Sequence, residues 1–183
     1  MNLIQKVRFL YSPFYIMEVK MSKLFFFDID GTLIDCNKGL YGISTINRNS
    51  FDQLKQKGHD VFLATGRCKC FITEGVMDYP FSGYVTCNGG YVEYKGDAIY
   101  KAVVPAKAIE ETIKLSKEHH FSFYFESSDY IYVLDKNDPQ HKEFARVWGM
   151  KDETIIDDFD PQEIETYIGM IVINSKEDIP LLS

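Results

Sequence analysis

The pattern of apolar and polar positions changes abruptly near residue 28. Four apolar residues, Leu24 to Phe27, precede Asp28 and Asp30, and a Gly-Thr pair then interrupts the pattern. A short, continuous apolar run that is bounded by turn residues is typical of a strand buried on both faces. The chain therefore predicts a buried strand that ends at two carboxylates, one residue apart.

A helix is predicted next in the chain. Residues 44–57 carry Ile46, Phe51 and Leu54 roughly on one helical face, and Gly58 is a suitable terminator just beyond the end. The segment therefore predicts one amphipathic helix that packs against the sheet.

A second apolar strand, Val61 to Ala64, ends at Thr65-Gly66-Arg67. A strand-helix-strand unit with a short crossover makes its two strands parallel. Asp28 and Thr65 are therefore expected at the same edge of the sheet, and chemistry in open α/β sheets collects at the carboxyl ends of strands.

The second half of the chain mixes strands and helices. Tyr91 to Tyr94 and Ala98 to Tyr100 flank a Gly-containing turn and predict a hairpin. Further predicted elements are a helix from Pro105 to about His119, strands at 121–125 and 130–134, a short helix from Pro139, a helix that starts at Asp160-Pro161, and a strand at 167–174. This half predicts a separate α+β unit. Its Tyr- and Phe-rich strands are expected to form the core of that unit, and a few residues, such as Tyr124 or Tyr130, are the alternative candidates for a binding face.

Composition narrows the class of protein. The 183 residues are 45% hydrophobic and carry a formal net charge of −7, with Lys and Arg scattered along the chain. Such a chain supports a real core and argues against a nucleic-acid or anionic-membrane partner, because both need a basic face. Four cysteines without a zinc or redox spacing, and no apolar run near the ~20 residues of a membrane span, predict a cytoplasmic protein with reduced thiols.

The paired carboxylates have two interpretations. Asp28 and Asp30 could serve one substrate as a nucleophile and a proton shuttle. Alternatively, the strand could simply end in an Asx-turn, which Asp and Gly also favour. The apolar strand that runs directly into Asp-x-Asp-Gly-Thr-Leu favours the chemical interpretation.

Three segments resemble one known family in their order along the chain. The run Phe25 to Asp35 resembles the first motif of the haloacid dehalogenase superfamily phosphatases, and Asp60 to Arg67 resembles their second motif. The segment Tyr84 to Gly90 resembles the strand and Asn-Gly turn that lead into the cap of the Cof-like branch, whose cap is inserted after the second motif. The resemblance covers residues 21–94 well and the rest more weakly.

The resemblance implies an α/β fold with a partial Rossmann-like parallel sheet core and a separate α+β cap domain. Residues 21–87 would form part of the catalytic core, and residues 88–183 would form a cap that is incomplete. Residues 1–20 would be an N-terminal extension of unknown role. One hypothesis is that residues 7–14 cover the open edge of the first strand.

The resemblance also implies the site. Asp28 would attack the substrate phosphorus to form a phosphoaspartate, and Asp30 would protonate the leaving oxygen and then activate water. Thr65 would donate its hydroxyl and backbone N–H to a phosphoryl oxygen, whereas Arg67 is expected to have an outward or structural role. Thr32, Gly66 and Asn88 are further candidates for substrate or phosphate binding. A Mg²⁺ ion would be bound by Asp28 and Asp30, the latter through its backbone carbonyl.

Two later features of the family are not found in the sequence before Ser183. They are a lysine that steadies the nucleophile and a Gly-Asp-x-x-Asn-Asp-like motif that completes the metal site. Residues 155–160 imitate the second weakly and are interpreted as a polar cap loop. The expectation is therefore a chain truncated before the later motifs.

Two functions remain open from the sequence. The first is a Mg-dependent hydrolase of small phosphorylated metabolites. The alternative is a catalytically inactive fragment that at most binds phosphate or a partner. An uncovered sheet edge also offers a surface on which two copies of the chain could pair.

Overall fold

The computed structural model describes residues 21–35, 38–148 and 150–172, without the side chain of Trp148. The predicted extension, residues 1–20, lies outside the described residues, as do Cys36 and the end of the predicted last strand. The described chain forms two sheets flanked by helices, which confirms the α/β class with a parallel core.

The first sheet has five strands in the order β1-β2-β3-β4-β5. They are β1 (Leu24–Phe27), β2 (Asp60–Ala64), β3 (Gly83–Thr86), β4 (Tyr91–Tyr94) and β5 (Asp97–Lys101). The first three strands are parallel, and the hairpin of β4 and β5 joins antiparallel to β3. The sheet therefore continues past residue 88, where the sequence places the start of the cap; that division stays a prediction.

Two helices lie between the strands of the first sheet, α1 (Thr45–Gln56) and α2 (Glu74–Met77). The Ser44 side chain caps α1 by accepting a hydrogen bond from the Asn47 amide, and Gly58 ends it with a φ of 82°. Phe51 of α1 is buried in a cluster with Ile29, Val61 and other residues of the same sheet face. Ile46, in contrast, is 77% exposed, so its predicted place on the buried face was wrong.

The prediction that β1 is buried on both faces was also wrong. Phe27 packs its ring 4.6 Å from that of Phe51 on α1, whereas Leu24 and Phe26 are 54% and 52% exposed. In the part of the chain that is described, no helix covers that second face, and β1 is an edge strand.

The second sheet has the order β8-β7-β6-β9. Its strands are β6 (Ser122–Glu126), β7 (Ile131–Tyr132), β8 (Ile155–Ile156) and β9 (Ile168–Val172), accompanied by α3 (Ala106–His119) and α4 (Pro139–Trp148). Residues 161–163 form only a turn, so the helix predicted after Asp160 was wrong. The Asp160 side chain accepts from the Gln162 amide at 2.8 Å, which satisfies the turn locally.

No helix among the described residues is both long and apolar enough to cross a membrane.

Candidate active site

The placement of Asp28 and Asp30 follows from strand geometry at the end of β1. Side chains alternate along an extended chain, so Asp28 and Asp30 lie on one side while Ile29 points to the other. Ile29 is fully buried in the core, and both acids are exposed. Phe27 is the register partner of Leu63 on parallel β2, which sets Asp28 and Thr65 at the same carboxyl edge of the sheet.

A tight turn follows the acids and fixes their backbone. The Ile29 carbonyl accepts hydrogen bonds from the amides of Thr32, Leu33 and Ile34, and the Gly31 amide donates to the Ile34 carbonyl at 2.9 Å. Gly31 has a φ of 76°, which a side-chain-bearing residue adopts only with strain. The turn leaves Thr32 exposed beside the acids.

Thr65 begins the loop after β2 and is buried. Its backbone N–H donates to the Val85 carbonyl at 2.8 Å, which continues the sheet by one more bond. The expectation that this N–H would serve a phosphoryl oxygen was therefore wrong. The Thr65 hydroxyl accepts from the Arg67 amide at 3.2 Å and still has its own proton to donate.

The Asn88 turn is fastened to the Thr65 loop. The Cys87 amide donates to the Arg67 carbonyl at 2.9 Å, and the Asn88 amide donates to the Thr65 carbonyl at 3.3 Å. Asn88 itself is exposed and has a φ of 53°. The structure thus brings three of the predicted residues together, Thr65, Gly66 and Asn88, at the end of β2 and β3.

Arg67 points inward. Of the two roles expected for it, outward or structural, the outward one was wrong. Its guanidinium binds both oxygens of Asp30, with Nε to Oδ2 at 2.9 Å and Nη2 to Oδ1 at 2.7 Å. A further nitrogen, Nη1, donates to the Phe71 carbonyl at 3.0 Å. Arg67 is only 5% exposed, so the pair joins the end of β2 to the turn after β1.

A buried group that the sequence analysis missed lies behind this loop. Glu126, at the end of β6, is 6% exposed, and its Oε2 atom has no hydrogen-bond partner among the described residues. Burial raises the pKa of this carboxyl above its ordinary value. The only sequence signal was its place directly after the apolar run of β6.

Two thiols, those of Cys68 and Cys87, interact electrostatically with Glu126. Cys68 and Cys70 have their sulfur atoms 3.4 Å apart, and both are free thiols, as is Cys87. The hydrogen bond with Cys70, together with burial, raises the pKa of Cys68, and burial raises that of Cys87 to about 12. The thiols of Cys68 and Cys87 are therefore held in their neutral form.

Other sequence candidates have different surroundings. Ile155 and Ile156 form β8 beside β7 rather than a loop, and the following Asp157 carboxylate lies 3.2 Å from the Lys136 ammonium. Tyr124 is 2% exposed and packs against Phe144 of α4, in agreement with the predicted core role of the aromatic residues in this half. Tyr130 is 45% exposed.

The described residues contain no group of three or more His, Cys, Asp or Glu side chains that could hold a metal ion. Asp28 and Asp30 are thus at most a partial set of protein ligands. Mg²⁺ commonly uses one or two carboxylates and completes its shell with waters and substrate phosphate. A pair of this kind fits such an ion.

Comparison with known proteins agrees with this arrangement. The chain is 32% identical over 108 residues to YkrA of Bacillus subtilis (strain 168), which is named as a phosphatase, and this match covers 59% of the chain. A solved structure of a hypothetical protein from Geobacillus kaustophilus HTA426 superposes with a TM-score of 0.76 at 20% identity, over 88% of the chain. A sugar phosphatase of subclass IIB superposes with a TM-score of 0.68 at 23% identity, also over 88%.

These matches cover only part of each relative. The chain spans 41% of the length of YkrA and 62% of each of the two solved structures. The sequence pattern described as haloacid dehalogenase-like hydrolase matches residues 25–181, which is most of the chain. This match agrees with the fold and with the turn that carries Asp28 and Asp30. The chain therefore belongs to the haloacid dehalogenase-like hydrolase family, in its Cof-like branch.

Proposed function

We propose that this protein is a phosphatase of small phosphorylated metabolites that works through a phosphoaspartate on Asp28. The observation that carries the proposal is the meeting of Asp28, Asp30 and Thr65 at one edge of a parallel sheet. Family membership supports the reaction class.

Each residue has a role that its surroundings allow. Asp28 is exposed and can approach a phosphorus atom, where a carboxylate oxygen forms the new O–P bond as the ester O–P bond breaks. Asp30 gives a proton to the departing oxygen, and then takes one from the water that attacks the phosphoaspartate. The Thr65 hydroxyl donates to a phosphoryl oxygen.

The loop residues contribute in different ways. Gly66 and Thr32 are exposed, and in this proposal they leave room for the phosphate. Asn88 offers its side-chain amide from the turn that is fastened to Thr65. Together they surround the same sheet edge from three segments of the chain.

Asp28 and Asp30 are proposed to hold Mg²⁺, through the Asp28 carboxylate and the Asp30 backbone carbonyl. When bound, the ion would neutralise charge that develops on the phosphoryl group. The metal requirement is checked by adding EDTA, which should abolish phosphate release, and by restoring it with excess Mg²⁺.

The substrate class is proposed from the cap and from one relative. The strands β6 to β9 follow the Asn88 turn along the chain, and we assign them to a cap that closes over a small substrate. A sugar phosphatase among the similar structures makes sugar phosphates a first panel to test.

The central experiment is hydrolysis of p-nitrophenyl phosphate by the 183-residue chain with Mg²⁺. Wild type and Asp97→Asn, which removes an exposed acid in the hairpin, should release phosphate equally. Asp28→Asn should be slower by about 100-fold or more, because it removes the nucleophile. Acid-quenched wild type should carry one phosphoryl group on the peptide that contains Asp28.

Equal rates in wild type and Asp28→Asn would reject the enzyme proposal. The alternative, binding without turnover, would then be measured by calorimetry with inorganic phosphate. Absence of heat in that titration would count against phosphate binding and leave partner binding as the remaining form of the alternative.

A further inference from the structure

The side chain of Asp30 is held by a residue that lies 37 positions later in the chain. Arg67 donates to both carboxylate oxygens, and its remaining contacts anchor it in the protein. Nη1 donates to the Phe71 carbonyl, the guanidinium carbon lies 4.8 Å from the centre of the Phe71 ring, and the Arg67 carbonyl accepts from the Cys87 amide. Arg67 is therefore a fixed support and Asp30 is the partner that it holds.

Burial differs sharply between the two members of this pair. The Arg67 side chain is 5% exposed and the Asp30 side chain is 43% exposed. A carboxylate has about four lone-pair positions, and Arg67 occupies two of them, one on each oxygen. The solvent-facing positions of Asp30 are left for a substrate or a water molecule.

We propose that Arg67 is the positioning residue for Asp30, fixing the orientation in which this acid meets the leaving oxygen. The proposal rests on the phosphatase function proposed above. In that reaction the proton goes from the Asp30 carboxyl to the departing ester oxygen, and a proton from the attacking water later returns to Asp30. Arg67 stays protonated throughout and exchanges no proton.

Two features make the orientation depend on Arg67. Asp30 is exposed and is followed by Gly31 in a left-handed conformation, so packing alone does little to select its rotamer. A bidentate, charge-assisted pair imposes both direction and plane on a carboxylate. General acid catalysis contributes about 10²- to 10⁴-fold, and a misplacement of ~1 Å can remove much of such an effect.

The test compares two phosphate esters that differ in their need for an acid. Dinitrophenolate leaves without protonation, whereas the alkoxide of glycerol 2-phosphate leaves poorly without it. With the 183-residue chain and Mg²⁺, Arg67→Gln should lower kcat for glycerol 2-phosphate by about 10- to 100-fold and kcat for 2,4-dinitrophenyl phosphate by less than about 3-fold. Asp30→Asn should show the same asymmetry.

Three further variants test whether Arg67 acts through its two hydrogen bonds to Asp30. Arg67→Lys should recover only part of the lost rate, since an ammonium cannot form the two parallel bonds. Arg67→Gln combined with Asp30→Asn should be no slower on glycerol 2-phosphate than Asp30→Asn alone. Arg48→Gln is the matched control, because Arg48 pairs with Asp78 on the side of the sheet where α1 packs, and it should leave the ratio of the two kcat values unchanged.

The outcomes separate the two proposals. Equal losses on both esters, or a rise in KM with kcat unchanged, would overturn the positioning role while the phosphatase function stands. If wild type hydrolyses neither ester, the phosphatase function fails and the positioning role fails with it.

Discussion

Gly66 and Asn88 are so close that a Cβ atom on Gly66 would lie 2.9 Å from the Asn88 side-chain oxygen. This close contact joins the loop after β2, which contains Gly66, to the turn after β3, which contains Asn88. Because the crowded atom is the end of an exposed side chain, Asn88 could move without disturbing the fold.

Gly66→Ala should therefore separate function from stability. We expect it to lower kcat/KM for p-nitrophenyl phosphate by about 10-fold, while the free energy of unfolding changes by less than about 0.5 kcal/mol, as is usual for exposed sites. Urea unfolding and steady-state kinetics measure the two effects. A large stability loss with unchanged kinetics would contradict this interpretation of the contact.

Gly83→Ala should act in the opposite way. A Cβ at Gly83 would lie 2.3 Å from the Phe62 ring and 2.4 Å from the Glu93 backbone carbonyl, neither of which is an exposed chain end. We expect a loss of about 2 kcal/mol in the free energy of unfolding, typical of overpacking. In a Phe62→Leu background the added loss should be smaller, and an undiminished loss would assign the whole effect to the backbone contact.

Glu126→Gln should change the pH dependence of stability. Burial raises the pKa of Glu126, so above the ordinary carboxyl pKa the folded chain binds more protons than the unfolded chain. The free energy of unfolding then falls as pH rises, and this contribution is absent from Glu126→Gln. Relative to wild type, the variant should therefore gain stability as the pH rises from 5 to 8.

The control for that series is Glu163→Gln, which removes an exposed carboxylate. Its urea-unfolding midpoints should follow those of wild type across the same pH range. A Glu126→Gln curve that is parallel to wild type would mean that Glu126 is ionised in the folded state.

The thiols of Cys68 and Cys87 should resist alkylation in the folded protein. Both have raised pKa values, so little of the reactive thiolate is present at pH 8. Iodoacetamide followed by peptide mass spectrometry should modify them slowly in buffer and completely in urea. Fast modification of either residue without urea would show that the region around Cys68 and Cys87 readily becomes accessible to solvent in the folded protein.

Leu24→Lys should reduce self-association of the 183-residue chain. Leu24 is 54% exposed on β1, an edge strand of the sheet that the described residues form, and a lysine at an edge discourages pairing between chains. Its register partner is Asp60, which would accommodate the added charge. Sedimentation velocity of wild type and variant measures the change, and identical distributions would exclude this face as a contact.

Much of the fold could be predicted because several segments carry local signals. The Lys95-Gly96 turn, with φ values of 52° and 91°, is the tight hairpin turn that the sequence indicates between β4 and β5. Ser44 and Gly58 bound α1 for reasons that also act locally. Asp160-Pro161 carries the same kind of signal and still forms only a turn, because an N-cap needs an apolar helical face to follow it, and Thr166 and Tyr167 instead lead into β9.

The sequence by itself determined that Asp28 and Asp30 follow a strand, and that Thr65 ends a parallel neighbour. These are consequences of side-chain periodicity and of the strand-helix-strand connection, both of which act over short stretches. Only the tertiary structure decided that Arg67 turns inward to hold Asp30, that Glu126 is buried beside Cys68 and Cys87, and that Phe26 is left exposed. Those outcomes depend on which segments pack beside each residue, and burial and charge pairing between segments far apart in the chain leave no periodic trace in the sequence.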